Sequence, residues 1–395
     1  MSSCRIPFNK PCLTGKELSY IVKAVSSGHI SGDGGFTRLA QRLLEQQLPA
    51  PRVLLTTSCT HALEMAALLL DIQPGDEVIV PAFTFVSTVN AFVLRGAKPV
   101  FADIRPDTLN LDERRLPQLI TPRTRAIIPV HYAGVGCEMD EILRIARANG
   151  VAVVEDNAHG LFGCYRGKRL GTFGCLATLS FHETKNIICG EGGALIINDA
   201  AFIDPAEIVR EKGTNRGRFF RGLVDKYTWV GVGSSYVLSD LLAAFLLAQL
   251  ESSNQISSQR ALVWHYYEQH LREWAAEHNV QLPHPPPECE QSYHMFYMIL
   301  PSPDDQEALI EHLRERGILS VFHYQPLHLS EMGQRFGGWR GQCPVTERIS
   351  GCLVRLPFYN DLAESQQREV IQAIAHFDGW RSSGAAEVRY ASQSQ

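Results

Sequence analysis

Residues 151–156 read VAVVED, a short apolar run that ends in two carboxylates. An apolar run that stops at charged residues is typical of a buried strand. Residues 180–186 then read SFHETKN, and EGG follows at 191–193. The sequence therefore predicts Asp156 at the end of a strand and Lys185 in a tight, polar turn bounded by glycine.

Short apolar runs alternate with helical patterns on both sides of this strand. Predicted strands cover residues 53–55, 77–80, 99–101, 126–130, 151–154, 177–179 and 194–197. Predicted helices cover residues 61–71, 86–95 and 139–149. This alternation indicates an α/β fold, in which a mostly parallel sheet lies between helices and ligands bind at the carboxyl ends of the strands.

The second half of the chain has a different organisation. A helical pattern runs from residue 239 to about residue 274, and the proline-rich segment PHPPP follows at 283–287. Predicted strands at 295–300 and 318–322 and predicted helices at 305–316 and 365–377 indicate a smaller α+β domain. We expect a large domain over residues 1–250, a small C-terminal domain over 251–380 and a disordered tail over 381–395.

Composition excludes several classes of protein. The 395 residues are 45% hydrophobic, with a net charge of −5 and no basic stripe, so we expect neither nucleic acid nor a membrane as a partner. No apolar signal run is evident at the start, which favours a cytoplasmic enzyme. The ten cysteines show no ligand spacing, so no metal is expected.

Lys185 and Asp156 together suit one cofactor. Pyridoxal 5'-phosphate (PLP) needs a lysine amine for its aldehyde and a carboxylate that keeps its ring nitrogen protonated. His159 lies three residues after Asp156 and is placed to contact the phenolic oxygen of the ring. Taken singly, Lys185 is also compatible with an ordinary surface lysine, Asp156 with a helix cap and His159 with a structural histidine.

Two further segments follow predicted strands. Residues 57–60 read TSCT and open a helix, where backbone N–H groups and small hydroxyls form a phosphate cradle, although serine and threonine are also ordinary helix caps. Ser180 is a further candidate phosphate ligand. Residues 81–88 read PAFTFVST, so an aromatic side chain is expected either flat on the cofactor ring or in the core.

These motifs, in this order, resemble one family over residues 6–377. The segments are SCTHALE at 58–64, PGDEVIVP at 74–81, VHYAG at 130–134, VED at 154–156, SFHETKN at 180–186 and EGG at 191–193. The chain is similar to the sugar-nucleotide aminotransferases of PLP fold type I. Within this family, the chain resembles the members that aminate C4 of a dTDP-sugar. That resemblance rests on the segments SGDGGFT at 31–37, EKGTNR at 211–216, FFRG at 219–222, VDKYTW at 224–229, GSSY at 233–236 and FHY…PLH at 322–328.

The resemblance implies a role for each matching residue. Lys185, Asp156 and His159 would be catalytic, and the cofactor contacts would come from Cys59, Thr60, Phe85, Asp156, His159, Ser180, Lys185 and Ser235. Ser235 matches a position that reaches the cofactor phosphate of the neighbouring subunit, which implies a homodimer with shared active sites. Tyr324 and His328 are candidates for sugar contacts, or for a packed loop between the domains.

The implied reaction moves the amino group of L-glutamate to the C4 ketone of dTDP-4-dehydro-6-deoxy-D-glucose. Retention of Lys185, which some relatives replace by histidine, favours transamination. The gluco epimer as product, amination at C3 and a different nucleotide all remain open, as does the pathway, a surface polysaccharide such as enterobacterial common antigen or a secondary metabolite. A non-enzymatic PLP-binding regulatory protein is the alternative from another class.

Overall fold

The computed structural model describes residues 4–381, so part of the tail expected at 381–395 lies outside the described residues. The strands are β1 Arg52–Thr56, β2 Glu77–Pro81, β3 Lys98–Ala102, β4 Thr124–Ile127, β5 Ala152–Asp156, β6 Cys164–Tyr165, β7 Lys168–Arg169, β8 Leu176–Ser180, β9 Gly193–Ile197, β10 Cys289–Glu290, β11 Tyr297–Ile299 and β12 Leu353–Arg355. The helices are α1 Glu17–Ser26, α2 Gly35–Gln47, α3 Cys59–Leu69, α4 Val86–Val93, α5 Leu116–Leu119, α6 Met139–Asn149, α7 Ile203–Arg210, α8 Arg216–Phe220, α9 Asp240–Glu251, α10 Ser253–Glu277, α11 Pro303–Glu315, α12 Glu331–Arg335, α13 Pro344–Cys352 and α14 Glu364–Ala375.

Seven strands form the central sheet in the order β1-β9-β8-β5-β4-β2-β3. All neighbours are parallel except those of β9, which runs antiparallel to both β1 and β8. The carboxyl ends of β1, β2, β4, β5 and β8 therefore meet at one edge, and β9 begins there. This confirms the expected α/β fold with a mostly parallel sheet.

Both faces of the sheet are covered, because successive side chains of a strand point to opposite faces. Leu54 packs in one core with α3 and α4, whereas its neighbours Val53 and Leu55 pack in another with α2 and α9. Leu195 and Ile196 of β9 divide in the same way. Strands buried on both sides explain the continuous apolar runs in the sequence.

A further apolar core lies in the C-terminal part of the chain. Tyr267 of α10, Phe296, Leu309 of α11 and Ile374 of α14 are buried in it, and Ile6 from the start of the chain joins them. The antiparallel pair β11 and β12 forms a small separate sheet. The division of the chain at residue 250 stays a prediction.

Several element predictions need correction. Residues 318–322 form only isolated bridges, Ile318 with Ile6 and Val321 with Arg355, so no regular strand exists there. The helix predicted from 239 to about 274 is two helices, because α9 ends at Glu251 and α10 begins at Ser253. Helices α1 and α2 were not predicted. Between residues 4 and 381, no helix combines the length and apolar character needed to span a bilayer.

Candidate active site

A cavity of about 530 Å³ lies at the edge of the sheet where the parallel strands end. Its lining includes Cys59, Asp156, His159, Ser180 and Lys185, which come from three different segments of the chain. A larger cleft of about 730 Å³ beside α10 contains neither Lys185 nor Asp156. The cavity at the strand ends is the better candidate because the ionisable groups predicted from sequence converge there.

Asp156 ends β5 and is buried, with 5% of its surface exposed. One carboxylate oxygen accepts a 2.7 Å hydrogen bond from the Thr88 hydroxyl, and the other accepts one of 3.1 Å from the Ala158 N–H. The adjacent Glu155 is directed away and accepts from the backbone of residues 171–174 and contacts His131. The two carboxylates of the VAVVED stretch thus have separate tasks, and only Asp156 faces the cavity.

Lys185 is half-buried in the turn after β8, and its backbone N–H donates to the His182 carbonyl. Burial lowers the pKa of its ammonium from 10.5 to about 8, and the positive charge of Arg355 acts in the same direction. Cys59 and Asp156 oppose this shift. An amine with a pKa near 8 is partly neutral at physiological pH, as a nucleophile or proton carrier must be.

His159 is buried and lines the cavity, and its Nδ1 has no hydrogen-bond partner within residues 4–381. Burial, followed by the charges of Lys185 and Arg355, holds its pKa well below 6.5, so the ring is neutral. The ring stacks on His294, with 4.2 Å between the centroids. His294 in turn shares a 2.9 Å hydrogen bond with the Asn186 side chain, beside Lys185.

The N-terminus of α3 reaches the cavity at Ser58, Cys59 and Thr60. The Ser58 hydroxyl accepts from the His61 N–H at 3.1 Å and caps the helix, while the Thr60 hydroxyl donates to Ser87. Burial raises the pKa of the Cys59 thiol to about 12, so the thiol is neutral. The backbone N–H groups of the first helical turn and the helix dipole make this end suitable for a phosphate.

Phe85 and Tyr324 lie together at the mouth of the cavity. Phe85 is 56% exposed, and its ring centroid is 6.3 Å from that of Tyr324. Tyr324 also contacts Phe83, and its carbonyl accepts from the Ser350 hydroxyl. An exposed aromatic at this position agrees with the expected stacking on a planar ring, which stays a prediction.

Two candidates lie elsewhere. His328 is fully buried, hydrogen-bonds to Glu347 at 3.0 Å and packs against Phe101 rather than lining the cavity. Its placement agrees with the packed-loop alternative. Ser235 is exposed and does not line the cavity of its own chain, so any contact with the cofactor requires another subunit.

Sequence reasoning missed Arg355, His294 and the N-terminal Phe8, all of which line or border the cavity. Arg355 ends β12, and its guanidinium lies over the Phe8 ring at 4.7 Å. No local pattern marks these residues as functional. A charged residue at the end of the apolar run LVR, at 353–355, is the one available signal.

The residues present fit PLP. A carboxylate, an amine of lowered pKa, a neutral imidazole and a helix N-terminus line one cavity, which matches the ring nitrogen, aldehyde, phenolic oxygen and phosphate of that cofactor. Fold and site together define a PLP-dependent aminotransferase of fold type I (EC 2.6.1).

Comparison with known proteins identifies the family. The model of the DegT/DnrJ/EryC1/StrS aminotransferase family matches residues 11–375. An uncharacterized protein from Methanocaldococcus jannaschii is 30% identical over 376 residues, 93% of this chain and 96% of the relative. The chain therefore belongs to the DegT/DnrJ/EryC1/StrS aminotransferase family.

Solved structures agree over nearly the whole chain. The aminotransferase TlmJ from Streptoalloteichus hindustanus has a TM-score of 0.85 and 28% identity, covering 93% of this chain and 97% of its own. DesV from S. venezuelae, solved with a ketimine intermediate, has a TM-score of 0.85 and 29% identity over 94% and 98%. The PMP form of Spr1654 from Streptococcus pneumoniae, a candidate sugar aminotransferase, has a TM-score of 0.86 and 26% identity over 93% and 98%.

Proposed function

We propose that this enzyme transfers the amino group of L-glutamate to the C4 ketone of dTDP-4-dehydro-6-deoxy-D-glucose. The products are dTDP-4-amino-4,6-dideoxy-D-galactose and 2-oxoglutarate, which makes the enzyme a dTDP-4-amino-4,6-dideoxygalactose transaminase. The observation that carries the amino transfer is the Lys185 amine in one cavity with the Asp156 carboxylate. The segments at 211–236 and 322–328, which resemble enzymes that act on dTDP-sugars, support the substrate.

PLP, when bound, supplies an electron sink that stabilises negative charge on the carbon attached to its nitrogen. Asp156 would keep that sink effective by holding the proton on the ring nitrogen, and the Thr88 hydroxyl fixes the carboxylate in place. The neutral His159 would contact the phenolic oxygen. Cys59, Thr60 and Ser180, which line the same cavity, would hold the phosphate.

Lys185 moves the proton. In the first half-reaction its neutral amine removes the proton from the α-carbon of glutamate, and in the second its ammonium delivers a proton to C4 of the sugar. A pKa of about 8 suits both tasks, because both forms are populated near neutral pH. The face of the sugar that meets Lys185 determines whether the galacto or the gluco amine forms.

A homodimer with shared sites is part of the proposal. Ser235 lies outside the cavity of its own chain, and the same region exposes Phe220 and Trp229, which are 69% and 78% accessible. Mixing Lys185→Ala protein with a bulky Ser235→Tyr variant tests this, since a shared-site dimer regains one intact site and therefore activity. No recovery of activity after subunit exchange would argue against shared active sites.

We also place the enzyme in the cytoplasm, which fractionation of cells tests.

A turnover assay tests the reaction itself. Purified protein, PLP, glutamate and the dTDP-ketosugar are mixed, and the product is read by proton NMR. The H3–H4 coupling is small for the axial galacto amine and large for the equatorial gluco amine, so the assay separates the two epimers. Lys185→Ala should abolish turnover; if that variant stayed active, the role of Lys185 would be wrong.

Absence of the aminosugar product, with the first half-reaction intact, leads to a different conclusion. If glutamate converts the cofactor to its amine form but no aminosugar appears, the enzyme is a transaminase for another acceptor. Amination at C3 or of a ketosugar on a different nucleotide is then the alternative, and a panel of nucleotide ketosugars distinguishes them.

A further inference from the structure

Residues 292–294, shortly after β10, form a turn that includes His294, which lines the active-site cavity. Tyr293 at the centre of the turn has a φ of +54°, a left-handed backbone conformation that is uncommon for an aromatic residue. Arg260 of α10 holds the turn, because its guanidinium donates to the carbonyls of Tyr293 and His294 at 2.9 and 2.6 Å. A strained conformation persists only where its surroundings fix it, and such conformations are frequent at functional sites.

The turn contacts both segments that carry the candidate catalytic groups. The Ser292 hydroxyl donates to the His159 carbonyl at 2.5 Å, and the His294 ring stacks on the His159 ring with 4.2 Å between the centroids. Beside Lys185, the Asn186 amide donates to the Ser292 carbonyl at 2.7 Å. The same amide shares a 2.9 Å hydrogen bond with Nδ1 of His294. One turn therefore makes two contacts to each segment, across more than a hundred positions of the chain.

These contacts determine the tautomer of His294. Because the Asn186 amide nitrogen faces the Ser292 carbonyl, the amide oxygen faces His294, and an amide oxygen only accepts. The proton of the imidazole therefore lies on Nδ1. Burial, followed by the nearby His159 and the charge of Lys185, holds the pKa of His294 well below 6.5, so the ring is neutral. The orientation of the His294 ring is thus fixed together with its position.

We propose that His294 is a positioning residue of the active site, which holds the His159 ring and the Lys185 turn in one arrangement. The face of its ring restrains His159, and its Nδ1–H restrains Lys185 through Asn186. This rests on the proposed roles of Lys185 and His159 and does not depend on the acceptor sugar. An amine that must meet one carbon of a bound substrate loses rate when it shifts by about 1 Å, so a restraint on the adjacent residue supports proton transfer without contacting the substrate.

Two substitutions separate the two contacts of His294. His294→Phe keeps an aromatic ring over His159 but removes the donor to Asn186. His294→Asn keeps an N–H donor in the place of Nδ1 but removes the ring. His270→Phe is the matched control, because the exposed His270 of α10 also stacks on a ring, that of Tyr266, and shares a hydrogen bond through Nδ1 with the Tyr266 carbonyl, outside the cavity lining.

The first readout does not depend on turnover. Cofactor-free protein is mixed rapidly with PLP, and the attachment to Lys185 is followed by absorbance. For His294→Phe we expect the rate constant at its high-pH plateau to fall by about tenfold, while the inflection of the pH profile stays at its wild-type value because the amine stays buried. His294→Asn should keep the plateau but shift the absorbance maximum of bound PLP, because His159 loses its restraint. His270→Phe should match wild type in both measurements.

Single-turnover kinetics with glutamate give the second readout. His294→Phe should lower the maximal rate constant by about tenfold to a hundredfold at an unchanged half-saturating glutamate concentration, because the restraint acts in proton transfer rather than in binding. His294→Asn, which keeps the donor, should retain more of the rate. Asn186→Ala should match His294→Phe, and it tests the same hydrogen bond if His294→Phe does not fold. The double variant should be no slower than Asn186→Ala alone, since both residues act through one hydrogen bond.

The outcomes distinguish positioning from packing. If the His294 variants lose thermal stability but their PLP-bound fraction reacts at wild-type rates, His294 only packs the turn and the proposal is overturned. Multiplied losses in the double variant would overturn it as well, because His294 and Asn186 would then act separately. If Lys185→Ala still turns over glutamate, the proposed function fails. If Lys185→Ala is inactive and the His294 variants keep wild-type rates, only the role of His294 fails.

Discussion

The lowered pKa of Lys185 predicts how the protein captures its cofactor. Only the neutral amine attacks an aldehyde, and burial lowers the pKa from 10.5 to about 8. At pH 7 about 10% of the amine is then neutral, against about 0.03% for an unshifted lysine. The difference of about 2.5 in pKa corresponds to a gain of about 300-fold in the reactive fraction.

Rapid mixing of cofactor-free protein with PLP measures this gain. We expect the rate constant for attachment to rise about tenfold for each unit of pH below pH 8 and to level off above pH 8. The rate constant increases with pH because raising the pH through the pKa of Lys185 removes the proton that blocks attack on the aldehyde. Lys185→Ala should show no attachment phase.

The cause of the lowered Lys185 pKa leads to a second expected result. Burial is the largest contribution, and Arg355 adds to it through its charge. Arg355→Gln should therefore move the inflection to higher pH but leave it below that of a free lysine. A rate that keeps rising to about pH 10 in the wild type would refute the argument that burial lowers this pKa.

Two further predictions concern the residues around the cofactor. Gly193→Ala would place its Cβ 2.4 Å from the Cys59 nitrogen, so we expect a loss of about 1–3 kcal/mol in unfolding free energy and weaker PLP binding in a spectroscopic titration. Gly35→Ala is the control, because the new Cβ would meet no atom within 4 Å from the described residues beyond its chain neighbours and its own helix backbone, and equal behaviour of the two variants would contradict the packing argument. Thr88→Val removes the 2.7 Å hydrogen bond to Asp156, and we expect kcat to fall by about tenfold, as for a lost bond to a charged group, with the cofactor still bound. Steady-state kinetics measure this, and wild-type kcat would show that Asp156 needs no such support.

Local sequence patterns predicted the strands that end at the candidate site well. Three of the four residues predicted at 151–154 lie in β5, and residues 177–179 lie within β8, because strands buried on both faces must be apolar throughout. The helix at 139–149 was predicted with its observed bounds, since Gly150 adopts the left-handed conformation that ends a helix. Such signals act over a few residues and are visible in one sequence.

The C-terminal contribution to the site was not predictable in the same way. Arg355 and His294 reach the cavity through the antiparallel pairing of β11 with β12 and through stacking on His159. These contacts join residues more than fifty positions apart in the chain, which no local pattern encodes. His328 shows the converse, because its motif resembled a substrate contact but its ring is hydrogen-bonded to Glu347 outside the cavity.

By itself the sequence determined the chemistry, through a lysine in a glycine-bounded turn and an aspartate at a strand end. It also determined the α/β class, because hydrophobic periodicity and glycine stops are local properties. Only the tertiary structure decided that Lys185 has a lowered pKa and that, among the described residues, the Nδ1 of His159 has no hydrogen-bond partner and Arg355 no counter-charge. Each of these depends on burial and on neighbours from distant segments, and desolvation and Coulomb energies arise only once the folded chain brings those groups together.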